Sequence, residues 1–150
     1  MEEIIIDINK NSYGELVFFD NTLSTVITSK GKFEKINFTN PRSQLFNFSL
    51  TSGKLVFQGS DPANFDICTL ARLTHTGSPE AKELKIAISK NGIVQDYTSV
   101  ICSGDGLYKS TCLMTTVALA SGDYIEVFVT NAQDTEAIIV KDFKLSVSKK

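Results

Sequence analysis

The chain has no tryptophan, one histidine, three cysteines and three prolines in 150 residues. A single histidine excludes metal centres built from several imidazoles. Cys68, Cys102 and Cys112 are an odd number with no Cys-x-x-Cys pair and no histidine close by, so neither a disulfide framework nor a zinc site is expected. Cys68 and Cys112 fall in strand-like runs and read as buried free thiols, whereas Cys102, beside Ser103-Gly104-Asp105-Gly106, reads as accessible. Basic charge is not in excess. Fifteen Lys and Arg stand against 17 Asp and Glu, a formal net charge of −2, which leaves no field to hold a phosphate backbone and excludes a nucleic-acid partner. No apolar run approaches the roughly 18 residues that cross a bilayer, so membrane insertion is not expected. The start, Met1-Glu2-Glu3-Ile4-Ile5-Ile6-Asp7, is acidic and only briefly apolar, the reverse of a secretion signal, and points to synthesis in a cytoplasm without that route of export.

Catalytic groupings are missing as well. A nucleophile needs a base poised beside it, and the lone His75, in Leu73-Thr74-His75-Thr76-Gly77-Ser78-Pro79, reads as a solvated loop residue at a strand end. Asp61, Asp66, Asp105 and Asp123 read as turn residues that cap local amides, not as a carboxylate pair across a cleft. Ser103-Gly104-Asp105-Gly106 has the glycines of a phosphate cradle but neither the Lys-Ser/Thr nor the following helix. No enzyme activity, cofactor or metal is expected.

What the sequence does have is alternation. Turn signals recur about every eight to twelve residues and no segment keeps a helical period, the signature of an all-β sandwich or barrel. Phe46, Phe48 and Leu50 alternate with Asn47 and Ser49; Leu84, Ile86 and Ile88 alternate with polar residues ahead of Asn91-Gly92; Ile125, Val127 and Val129 follow the Gly122-Asp123 turn. Asn-Gly is a strong hairpin signal because both residues tolerate positive φ. Strands are expected near Ile4–Ile8, Glu15–Phe19, Leu23–Thr28, Phe33–Phe38, Leu45–Leu50, Lys54–Gln58, Phe65–Thr74, Glu83–Ser89, Ile93–Thr98, Tyr108–Leu119, Tyr124–Thr130 and Ala137–Val147. No linker or repeat interrupts the chain, so residues 13–150 read as one domain, with residues 1–12 as a separable arm or edge strand. In the last strand Ile138 and Val140 are out of phase with Phe143, Leu145 and Val147. Either Lys141-Asp142 forms a bulge, or the two parts face different neighbours.

Two sets of residues point away from the inward rows. Tyr124 and Phe128 flank Glu126 on the face opposite Ile125, Val127 and Val129. Cys112 and Met114 lie opposite Leu113 and Val117. Large apolar groups on an outer face need a cover, which either a second subunit or a long loop of the same chain supplies. Phe128, Tyr124, Cys112 and Met114 are accordingly the candidate oligomer interface.

The order of these segments resembles the jelly-roll domains of the tumour-necrosis-factor and complement globular-head type, found in many bacteriophage structural proteins. The pieces that carry the resemblance run from Gly14-Glu15-Leu16 and Gly31-Lys32-Phe33-Glu34-Lys35-Ile36, through Ser52-Gly53-Lys54-Leu55-Val56-Phe57-Gln58-Gly59 and Ile86-Ala87-Ile88-Ser89-Lys90-Asn91-Gly92. They end with Leu119-Ala120-Ser121-Gly122-Asp123-Tyr124-Ile125-Glu126-Val127-Phe128-Val129 and Phe143-Lys144-Leu145-Ser146-Val147. The closing strand lacks the Phe-x-Gly-Phe of the animal branches, and tryptophan is absent, so the phage branch is the nearer. The resemblance implies a two-sheet antiparallel jelly-roll β-sandwich, a homotrimer, and a non-enzymatic virion protein: a capsid-surface, head-fibre or decoration protein. The alternative is a tip module of an adsorption apparatus that binds a host-surface receptor or glycan. A virion released by lysis needs no secretion signal. Ile4, Ile5, Ile6 and Ile8 of the arm would dock to other virion proteins by adding a strand to an exposed edge.

Overall fold

In the computed structural model, residues 12–104 and 107–150 are described. The predicted Ile4–Ile8 strand, with its docking residues Ile4, Ile5, Ile6 and Ile8, lies outside them, as do Asp105 and Gly106. Twelve strands follow one another: β1 Tyr13–Phe18, β2 Ser24–Thr25, β3 Glu34–Lys35, β4 Arg42–Phe46, β5 Phe48–Thr51, β6 Lys54–Phe57, β7 Ala63–His75, β8 Ala81–Lys90, β9 Ile93–Ser103, β10 Lys109–Leu119, β11 Tyr124–Asn131 and β12 Ile138–Lys149. There is no helix among the described residues. Sheet I has the order β10-β7-β12-β1-β4, with β2 beside β12; sheet II has the order β5-β6-β11-β8-β9, with β3 beside β11. Every pairing is antiparallel.

The inward rows of the two sheets make one core. Phe48, Phe57 and Phe65 meet with ring centroids 4.9–5.4 Å apart, two of the three contacts edge to face. Phe18 stacks between Phe38 and Phe143 at 4.8 and 5.0 Å. Offset and edge-on geometries suit the ring quadrupoles. Ile125, Val127 and Val129 are inward, as their alternation requires, and so are Leu84, Ile86 and Ile88. Asn91 and Gly92 both take positive φ, 52° and 82°, and close the β8–β9 hairpin with Lys90 opposite Ile93. In β12 the register shifts between Val140 and Asp142. That bulge turns Ile138, Val140, Phe143, Leu145 and Val147 all into the core, which settles the phase conflict in favour of the bulge.

Several expectations are corrected. Phe46, Phe48 and Leu50 are not one inward row: Asn47 sits at φ 62° and breaks the run, sending β4 into sheet I and β5 into sheet II. Phe46 is therefore exposed, stacking on Tyr13 across the edge of sheet I, while Phe48 is buried. The long strands expected at Leu23–Thr28 and Phe33–Phe38 shrink to two-residue pairings. Asp66 lies inside β7 rather than at a turn, accepting a hydrogen bond from Thr116 Oγ1 at 3.1 Å. The cysteines are reversed: Cys102 belongs to the inward row of β9 and is fully buried, Cys112 is exposed on β10, and Cys68 is half-buried. Ser12 is buried and joins the sandwich, its carbonyl accepting from Lys149 N at 3.0 Å and its hydroxyl from Asn47 Nδ2 at 3.1 Å.

Candidate functional site

The loop reading of His75 also fails. β7 carries it to the last position of the strand, where it is 1% exposed. Its Nδ1 lies 2.8 Å from Glu136 Oε2, and its Nε2 lies 3.0 Å from the Cys102 carbonyl oxygen. A catalytic histidine needs one free nitrogen for the nucleophile; here both are occupied, the second by main chain. Glu136 Oε1 accepts from Lys82 Nζ at 2.9 Å and from Ser78 N at 3.2 Å. Lys82, itself 4% exposed, also pairs with Asp134. Asn131 fixes the carboxylate-bearing loop: its Nδ2 donates to Asp134 Oδ1 at 2.7 Å, and its Oδ1 accepts from the amides of Gln133 and Asp134. The cluster thus ties the ends of β7, β9 and β11 to the start of β8. Sequence reasoning singles out none of Lys82, Asn131, Asp134 and Glu136. The spacing Asn131-x-x-Asp134-x-Glu136 after a strand is the one local signal, an Asx-type loop.

The Lys82 hydrogen bond is the chief reason that the Glu136 carboxyl titrates at about 2 rather than 4.5, burial opposing it and His75 and Ser78 adding to it. Asp134 is lowered for the same main reason. Burial works against the Lys82 ammonium, and the hydrogen bonds to Asp134 and Glu136 outweigh it, raising its pKa. A depressed carboxyl contributes stability above its unfolded value and loses it as pH falls through the folded one. The protein is therefore expected to lose stability between pH 4.5 and about 2, and Glu136→Gln to be less acid-sensitive than wild type in urea titrations across that window. Equal acid slopes would refute the assignment.

Outside this cluster the conspicuous surface is the outer face of sheet I. Phe19, Leu70 and Met114 are 64%, 48% and 69% exposed. Register places Leu70 between Cys112 of β10 and Lys144 of β12, and Met114 opposite Cys68. A groove of about 380 Å³ runs beside Phe19, lined by Val17, Leu70, Arg72, Thr111 and Lys144, with the Arg72–Asp142 ion pair of 2.8 Å at its rim. A second groove of about 400 Å³ lies across Phe19, toward Glu15 and Arg42.

The four candidate interface residues are not brought together. Cys112 and Met114 lie on the outer face of sheet I, whereas Tyr124 and Phe128 lie on the outer face of sheet II. Tyr124 is half-buried beneath the Lys54 ammonium, 4.5 Å from its ring centre. Phe128 is half-buried between Lys35 of β3 and Ala87 of β8. The more exposed apolar residues of sheet II are Ile93, Tyr97 and Ile101, alternating along its edge strand β9. That row escapes a reading of the sequence because apolar residues of a strand are taken as inward by default, whereas in β9 it is Val100 and Cys102 that fill the inner face.

No family model and no curated protein matches the chain. Among solved structures it is similar to murine APRIL, determined as a crystal structure at pH 5.0, with a TM-score of 0.55 and 14% identity over 93% of this chain and 99% of that one. APRIL is a cytokine of the tumour-necrosis-factor family. The fold is a tumour-necrosis-factor-like jelly roll. In this jelly roll the face bearing Leu70 and Met114 is sheet I, whose central strand is β12, and the His75 cluster closes one end between the sheets.

Proposed function

We propose that this chain is a non-enzymatic structural subunit that assembles with copies of itself, as a homotrimeric jelly roll on a bacteriophage virion: a capsid-surface, head-fibre or decoration protein. The observation that carries the self-assembly is the pair of unlike apolar surfaces. One is the face of sheet I around Phe19, Leu70 and Met114; the other is the β9 row Ile93, Tyr97 and Ile101. Two unlike patches that cover one another form a heterologous contact, and such contacts form a ring where the rotation between subunits closes. The placement on a virion rests on the resemblance of the sequence segments to phage jelly rolls. Light scattering behind a sizing column tests the assembly: the expected mass is three times 16.5 kDa, and a clean monomer would overturn it.

A second reading, a tip module for a host receptor or glycan, is favoured by exposed Phe19 beside the Arg72–Asp142 pair, an aromatic platform next to charged hydrogen-bonding groups. Adsorption to whole host cells that persists in the isolated protein would support it over the purely structural role.

A further inference from the structure

His75 is the one histidine of the chain, and both of its ring nitrogens face oxygen. Nδ1 meets Glu136 Oε2 at 2.8 Å and the Thr76 carbonyl at 3.4 Å; Nε2 meets the Cys102 carbonyl at 3.0 Å. Carbonyl and carboxylate oxygens only accept, so each contact needs an N–H on the ring. A neutral imidazole has one, and either tautomer would set a lone pair against an oxygen around a ring that is itself fully buried. Charge counting agrees. Asp134 and Glu136 bring two negative charges; Lys82 brings one positive charge and a doubly protonated ring brings the second. With a neutral ring the group would carry one uncompensated negative charge, on carboxylates that are 25% and 40% exposed.

No other titratable group among the described residues takes over that role. β8 supplies Lys82, and the loop between β11 and β12 supplies Asp134 and Glu136. β9 supplies the Cys102 thiol, which burial pushes up and which donates to the Leu73 carbonyl oxygen at 3.6 Å. Lys109 of β10 acts on that thiol, and its charge has the same sign as the imidazolium. The surrounding chain is fitted closely to the cluster. A Cβ on Gly104 would collide with the Ser78 carbonyl and the His75 ring, and Gly77, at φ 91°, lies against the Glu136 carboxylate.

We propose that His75, Glu136, Lys82 and Asp134 form a proton-gated clasp that holds one end of the sandwich shut while the imidazole is doubly protonated and lets it open when the second proton leaves. This goes beyond the assembly reading and does not depend on it. Both contacts need a ring proton, so the clasp holds while both protons are present and loosens when one leaves. The carboxylates set the opposite limit, since protonating them breaks the same bonds at strongly acid pH. The clasp is closed in the window between.

A lone histidine makes the test direct. Nitrogen NMR of the imidazole and hydrogen exchange of segments 76–80 and 131–137 would be followed between about pH 5.5 and about pH 8.5, where an imidazole titrates. Exchange would be corrected for its intrinsic pH dependence. The expected result is two ring N–H groups at the acid end, with exchange in both segments several-fold faster at the alkaline end. In His75→Gln, whose side chain has no proton to lose in that range, the corrected exchange is expected to be flat. A folded wild-type protein whose ring has one bare nitrogen throughout would overturn the proposal, as would corrected exchange that does not change with pH. The wild-type measurements stand alone if His75→Gln does not fold.

Discussion

Phe65→Ala is expected to lower the free energy of unfolding by about 3–5 kcal/mol, the range for removing a large aromatic from a closed core. Phe65 is fully buried on β7, where it meets Phe57 at 4.9 Å and Phe48 at 5.4 Å. Phe57 and Phe48 come from sheet II and Phe65 from sheet I, so the ring joins the two layers. Deleting it removes transfer free energy and leaves a cavity lined by two rigid rings that cannot collapse into it. Denaturation at fixed protein concentration should shift the midpoint without changing the slope. A loss below about 1 kcal/mol would mean that the three rings are not the inter-sheet contact described.

Leu70→Asp is expected to convert the assembled protein to monomers without unfolding it. Leu70 is 48% exposed in the single chain, so the substitution adds a charge where the monomer already meets water. In an assembly that covers the sheet I face, the same carboxylate is buried without a partner. Removing a central apolar anchor from an interface weakens it by about 2–4 kcal/mol, or roughly 30- to 1,000-fold. Tyr97→Asp on β9 distinguishes the kind of association. In a heterologous ring it dissociates the assembly as Leu70→Asp does; in a face-to-face dimer through sheet I it leaves the mass unchanged. Unchanged mass for both variants would refute the assignment of these surfaces.

The sandwich is legible in the sequence because one buried face leaves a period of two. The phase slip of Ile138 and Val140 against Phe143 is legible too, while the register of β12 decides that a bulge absorbs it. The β4–β5 switch is not. Asn47 takes a left-handed conformation that asparagine tolerates, and an alternating run continues straight across it, so Phe46 and Phe48 read as one row. The His75 cluster leaves no periodic trace either. A buried polar residue is satisfied by partners distant in sequence, here Glu136 and the Cys102 carbonyl, and a lone histidine in a polar stretch looks the same whether dry or wet. The outward apolar groups are half legible: Cys112 and Met114 follow from the phase of β10, whereas the β9 row requires knowing which apolar residues the opposite sheet accepts.

Strand β12 has a consequence for how the protein is made. Residues 138–149 lie between β7 and β1, pairing with both. Until that stretch leaves the ribosome, the N-terminal β1 has no inner neighbour and the exposed edge of β7 is an invitation to other nascent chains. Sheet I can therefore be completed only after residue 149 has been made, and it is slow in kind, since its pairings span most of residues 13–149. A message cut short before residue 138 would yield a sticky product rather than a smaller stable one.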